Sequence, residues 1–336
     1  MITLIIPFIF SLRQLYWIVF RCVTGLVFAA LMINTADAVE PHSLFPTPVY
    51  VTLQTDGVVE NLQTGTTWSV PGAHYHAVSS DGRHLLVSEA GSSNVYLLDT
   101  TSGKLLSTFD VGPIAQGVAV SPDNQQGLAV GAGDGTVTVI ELATQKVGKV
   151  IPVGKAPHNV RFTPDGTRAY VTLQGSGSIA VLDMRTLEKT DEFSLPGIDQ
   201  PHNLDLSDDG KTLWIRDFTG QVAAVDLLTQ KILAVIPVGR GHAGIDAVTA
   251  SQYVFTGATA DPMVDVIDAI TFKVVKRIDV GQGSHGVRAS HDGRLIYVGV
   301  TNPSQVVVID TQTLEVVKQL PTQGQSPFWL AVSSNP

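Results

Sequence analysis

Six of the nine histidines in this 336-residue chain stand where apolar strands are about to begin: His74, His76, His158, His202, His242 and His285. Imidazole without thiolates suits copper, zinc, iron and nickel, and its proton moves near neutral pH. A gathered set would therefore coordinate a metal or move protons. Glu89 and Asp217 close a second set of strands in one common column, with Arg216 beside Asp217. A carboxylate next to an imidazole can orient it or act with it as an acid/base pair. Other readings use the same residues differently. A histidine opening a strand can simply bond a neighbouring loop carbonyl, and Glu89 or Asp217 can serve as one half of a salt bridge. The histidines are up to 211 residues apart, so only a repeating architecture can bring them together.

That architecture is visible in seven glycines. Gly72, Gly112, Gly154, Gly197, Gly239, Gly281 and Gly324 recur at intervals of 40 to 43 residues. Strand-rich repeats of this length read as an all-β, seven-bladed β-propeller with four antiparallel strands per blade. The loop after each glycine leads into the innermost strand of the next blade, at one mouth of a central channel. Counting four residues on gives His76, Gln116, His158, Ala243, His285 and Phe328, with His202 five on, His242 one place early and His74 two before His76. These positions should ring the mouth.

The remaining signals fit. Asp81-Gly82, Asp165-Gly166, Asp209-Gly210 and Asp292-Gly293 mark hairpin turns. Third strands end in Asp99, Glu141, Asp183, Asp226, Asp268 and Asp310, with Asn61 in the first segment; such residues cap the turn that follows. Six complete blades run from His76 to Leu320. The seventh combines three N-terminal strands with a C-terminal strand, taking in 48–72 and 328–333. Joining the ends removes open sheet edges. Three places past the ring, Arg161, Asp205, Asp246 and Arg288 should form inter-blade ion pairs, Arg161 with Asp205 and Asp246 with Arg288. Phe328 and Trp329 read as closure packing or as an apolar wall for a planar ligand.

Tyr50-Val51-Thr52-Leu53 and Tyr170-Val171-Thr172-Leu173, with the run Val153 to Gly166, resemble the YVTN family of bacterial propellers across residues 48–336. This resemblance implies the propeller fold. It also points to a mixed superfamily that includes haem-binding domains of nitrite reductases and copper-cluster propellers such as nitrous oxide reductase. Fold alone does not choose among such functions.

Composition narrows the field. Residues 1–38 read as a signal peptide, with an apolar Val23–Ile33 run and an Ala36-Asp37-Ala38 cleavage site, leaving 39–336 as one propeller domain. An uncleaved membrane anchor is the other reading. Without Arg13, Arg21 and Asp37 the remainder carries 19 basic and 29 acidic residues, a net charge of −10, which argues against nucleic acid as a partner. Cys22, the only cysteine, leaves with the signal, so neither a disulfide nor a C-x-x-C-H haem attachment is available. G-x-S-x-G, H-E-x-x-H, a phosphate-binding glycine loop and an EF-hand loop are all absent.

These observations predict a periplasmic or secreted monomer that binds a small ligand or protein partner at the histidine mouth. The sharpest version places a copper ion or haem-like cofactor there. Alternatives are a redox enzyme or lyase using that site, and an interaction scaffold without cofactor.

Overall fold

Runs of Val, Ile, Leu and Thr, four to eight residues long, suit strands covered on both faces. In the computed structural model, which describes residues 43–248 and 250–334, these runs pair into seven four-stranded antiparallel sheets. No helix occurs among the described residues. The innermost strands are Ala73–Val78, Ala115–Val120, Pro157–Phe162, Pro201–Leu206, Ile245–Val248, Gln282–Ala289 and Pro327–Val332. Each packs on the next, and the last packs back on the first. The chain is a seven-bladed β-propeller.

Blade seven closes the ring. Its sheet runs Pro327–Val332, Val49–Leu53, Val58–Asn61, Thr66–Ser69, with Val51 opposite Leu330 and Tyr50 opposite Ala331. The core lies between blades, where facing sheets interdigitate. Val137 and Val139 of blade two meet Val171 and Ala180 of blade three; Val264 and Val266 of blade five meet Val298 and Val307 of blade six. Burying one such valine contributes about 1.5–3 kcal/mol. Outer strands alternate instead: along Lys231–Pro237, exposed residues interleave with part-buried ones.

The turns hold the blades in register. Ser79, Thr163, Ser207 and Ser290 each donate a side-chain hydrogen bond to the Asp two residues on, at 2.6–2.7 Å. Asp99, Asp183, Asp226, Asp268 and Asp310 accept backbone N–H bonds from the following turn, and Asn61 does the same. Glu141 instead accepts from the Gln126 amide.

The expected export signal at 1–38 lies outside the described residues. No helix among the described residues is long and apolar enough to cross a membrane.

Candidate functional site

The innermost strands are bulged at the mouth. Pairing with the second strand shifts between Ala73 and His76, Ala115 and Val118, Pro157 and Val160, Pro201 and Asn203, and Ser284 and Val287. His74, Gln116, His158, His202 and His285 fall inside those shifts. A bulge re-aims side chains, and here it turns them into the channel.

This register corrects the count from glycine. His76 pairs with Val87 just as Val160 pairs with Val171, so the partner of His158 in blade one is His74. The loop after Gly72 is two residues shorter than the loop after Gly154. His76 Nε2 lies 3.1 Å from the Tyr50 carbonyl, and the residue lines the opposite end of the channel.

The other five histidines form an arc with Phe328. Centroid separations are 3.8 Å for His158–His202, 4.0 Å for His202–His242, 4.5 Å for His242–His285, 3.7 Å for His285–Phe328 and 4.3 Å for Phe328–His74. One ring nitrogen from each of His158, His202 and His242 lies within 4.8 Å of the others. Tyr75, fully buried, reaches across from blade one and places its hydroxyl 3.5 Å from His202 Nε2. Its ring also meets His158 and Trp329 edge-on. Side chains thus fill the channel at this level.

Hydrogen bonds fix which nitrogens are free. His285 Nδ1 lies 2.8 Å from the Phe328 carbonyl oxygen, which can only accept. His285 Nε2 is therefore an acceptor, and His242 Nδ1–H donates to it. His242 Nε2 keeps its lone pair. His158 Nδ1 is buried without a hydrogen-bond partner among the described residues.

A five-residue segment positions two of the histidines. Thr52 Oγ1 donates to the His74 carbonyl at 2.8 Å, and Gln54 Nε2 is 2.9 Å from His74 Nδ1. Thr172 Oγ1 donates to the His202 carbonyl at 2.9 Å, and Gln174 Nε2 is 2.8 Å from His202 Nδ1. Both pairs come from the sequence Tyr-Val-Thr-Leu-Gln, at 50–54 and 170–174. Either orientation of such an amide satisfies the contact, as donor or as acceptor.

Burial keeps the arc neutral. It pushes His74 down to about 4 and His242 to about 3, and holds His158, His202 and His285 well below the usual range, with neighbouring histidines adding to the effect on the last three and on His242. Arg216, fully buried, lowers His202 and His242 further. Its guanidinium donates to the carbonyls of Gly239 and Gly241, fixing the loop that carries His242.

The two carboxylates serve their own blades. Glu89 Oε2 accepts from Asn94 and Tyr96 at 2.8 and 2.7 Å. Asp217 Oδ1 accepts backbone N–H bonds from Thr219, Gly220 and Gln221.

Residues 213–327 match the family model of the cytochrome D1 heme domain. Residues 59–169 match that of the YNCE-like beta-propeller. Neither match reaches half of the chain. No curated protein matches significantly. Among solved structures, hydrazine synthase of Kuenenia stuttgartiensis superposes with a TM-score of 0.70 at 20% identity, covering 79% of this chain and 90% of that one. Dihydro-heme d1 dehydrogenase NirN, in complex with DHE, gives 0.63 at 18% identity over 84% and 74%. A protein of unknown function from Desulfotomaculum acetoxidans gives 0.70 at 12% over 86% and 100%. At these identities the likeness is one of fold.

The two matched segments share most of the arc, while His202 and Phe328 lie in neither. Phe218, His242 and His285 lie in the first; His74, Gln116 and His158 lie in the second. Phe218, which sequence reading passed over, is 43% exposed and stands 5.6 Å from the His202 ring and 5.5 Å from the His242 ring. Nothing in the residue type marked it. Gln54 and Gln174 did carry a signal, since each follows the same four residues.

Proposed function

We propose that this propeller is an exported monomeric binding protein that holds a haem-like cofactor at its histidine mouth. One observation carries the reading: the contacts of His285 leave His242 with a neutral, unprotonated Nε2 in the segment that matches a haem domain. The donor chemistry fits, because a neutral imidazole is a normal ligand of haem iron. His242 would supply that ligand, with His202 beside it. Phe218 offers an exposed aromatic edge to a planar group. Tyr75 and the stacked rings leave no room for a macrocycle in the channel interior, so the group would be held at the mouth. Bound iron would supply one-electron chemistry. The name of NirN, a dihydro-heme d1 dehydrogenase, supports a haem-related role for this fold.

A second reading, a bare transition-metal ion such as copper, is favoured by a different observation. His158, His202 and His242 converge, and His158 Nδ1 has no partner. A lyase or acid/base enzyme is less favoured, because Glu89 and Asp217 are engaged within their own blades. An interaction scaffold would need neither cofactor.

Full-length protein, expressed with its own N-terminus in a host that makes haem, tests both readings. Visible absorption and elemental analysis come first, then titration with haemin and with copper(II). A haem band abolished by His242→Ala supports the haem reading. Stoichiometric copper without a haem band, lost in His158→Ala and His242→Ala, supports the second. A protein that binds neither overturns both and leaves the scaffold.

A further inference from the structure

The other end of the channel holds a cavity of about 360 Å³. The equivalent place in successive innermost strands, three beyond the histidine position, reads Ala77, Ala119, Arg161, Asp205, Asp246, Arg288 and Ala331. Three neighbouring blades therefore present alanine and the other four present charge. The methyls leave the space that the cavity occupies, and Ala77, Ala119 and Ala331 all line it. Arg161, Asp205 and Arg288 line the opposite side, and Asp246 stands beside Arg288.

The ion pairs expected between blades are present, but they are loose. Arg161 Nε is 3.7 Å from Asp205, and Arg288 Nη1 is 3.4 Å from Asp246. Neither is a short two-point bridge. Each guanidinium also donates through Nη1 to the carbonyl of the residue before it, at 3.1 Å, so the two adopt matching poses. Arg288 is held flat as well, its guanidinium carbon 4.7 Å from the Trp329 ring centre. Both arginines retain N–H donors beyond those the carboxylates take.

The carboxylates are otherwise engaged. Asp205 accepts the Ala247 N–H at 2.9 Å and Asp246 the Ala289 N–H at 3.0 Å. Burial raises both, and Asp246 is raised further by Asp205 beside it. Two buried carboxylates side by side favour holding one proton between them. Asp208 also lines the cavity, so the attraction for an anion rests on the spare N–H donors of Arg161 and Arg288.

We propose that this cavity is a second binding site, taking a small aliphatic carboxylate. Its carboxylate is held by Arg161 and Arg288, and its alkyl end lies against Ala77, Ala119 and Ala331. Guanidinium groups suit planar carboxylates, and the cavity is at the small end of ligand pockets. It is separated from the histidine mouth by the Tyr75 and Trp329 rings, which meet at 4.6 Å.

Saturation-transfer NMR with propionate on the full-length chain tests the site, with propionamide as neutral control. Saturable propionate binding, at least tenfold tighter than propionamide, is expected. Ala119→Leu fills the cavity from its apolar side without touching a charge, and should abolish the signal while thermal unfolding shows a folded protein. His242→Ala should leave propionate binding unchanged, so the outcome is independent of the cofactor at the other mouth. No binding to the unaltered chain, equal binding of propionamide, or undiminished binding to folded Ala119→Leu would overturn the proposal. Should Ala119→Leu fail to fold, Ala77→Leu takes its place under the same criteria.

Discussion

The Nδ1 of His285 sits 2.8 Å from the main-chain oxygen of Phe328, and that contact sets the protonation of the next imidazole. A carbonyl cannot donate, so the proton is on Nδ1 and the lone pair on Nε2. His242 answers with its own Nδ1–H. His285→Phe keeps a ring against Phe328 and removes the acceptor. Cofactor or metal affinity should fall about 10–100-fold, the usual effect of losing a ligand's orienting partner. Nitrogen NMR of the imidazoles should show His242 losing its single tautomer, which a purely structural loss would not produce.

Gln174 holds the His202 ring in place through Nδ1 without dictating its tautomer. Gln174→Leu removes the contact to His202 Nδ1 while keeping a side chain of similar length. Stability should drop by about 0.5–1.5 kcal/mol, the net worth of one hydrogen bond, measured by urea unfolding. Gln54→Leu should do the same through His74. An unchanged urea midpoint in both variants would count against the shared role of these amides.

Much of this architecture is legible in the sequence. The spacing of the glycines, the Asp-Gly turns and the divided seventh blade led to the propeller, because each reflects backbone geometry that a repeat must reuse. The pairs Arg161–Asp205 and Asp246–Arg288 were legible for the same reason. His76 was misplaced because the count began from a loop whose length varies. Counting back seven residues from Asp81, Asp165, Asp209 and Asp292 reaches His74, His158, His202 and His285. That path runs along hydrogen-bonded strand and keeps its register. The convergence of the rings was not legible, since it depends on bulges that strand pairing alone reveals. His242 belongs to no strand and reaches the arc from its loop, anchored by Arg216.

Acid should weaken the fold at a pH where surface histidines would merely titrate. In the unfolded chain a histidine takes up its proton near pH 6.5. In the folded arc burial holds His74 down to about 4 and His242 to about 3. Between those limits the unfolded state binds more protons, so stability falls as pH drops from about 6.5 toward 4. Urea midpoints at pH 7, 5.5 and 4.5 should decline in that order. The same shifts imply that protons compete poorly for the imidazoles. Binding at the mouth should therefore persist at pH 5.5, below the point where ordinary imidazoles would release a metal. Loss of ligand at pH 6 with the fold intact would contradict the neutral arc.

Closure gives the last prediction. Pro327–Val332 is the innermost strand of blade seven, and it pairs only with Val49–Leu53. It also supplies Phe328 to the arc and Trp329 beneath Arg288. Removing residues 327–336 would expose the edge of Val49–Leu53 and strip the buried faces of blades one and six, which pack on this strand. Repeat units stabilise one another mainly through such neighbour contacts. A propeller opened at blade seven keeps its five other interfaces, yet the ring as a whole loses the constraint that holds them in place. The truncated chain should lose its cooperative thermal transition, and amide exchange should rise in all seven blades. If exchange rose only in blades seven, one and six, the blades would be independently stable and the closing strand a local seal.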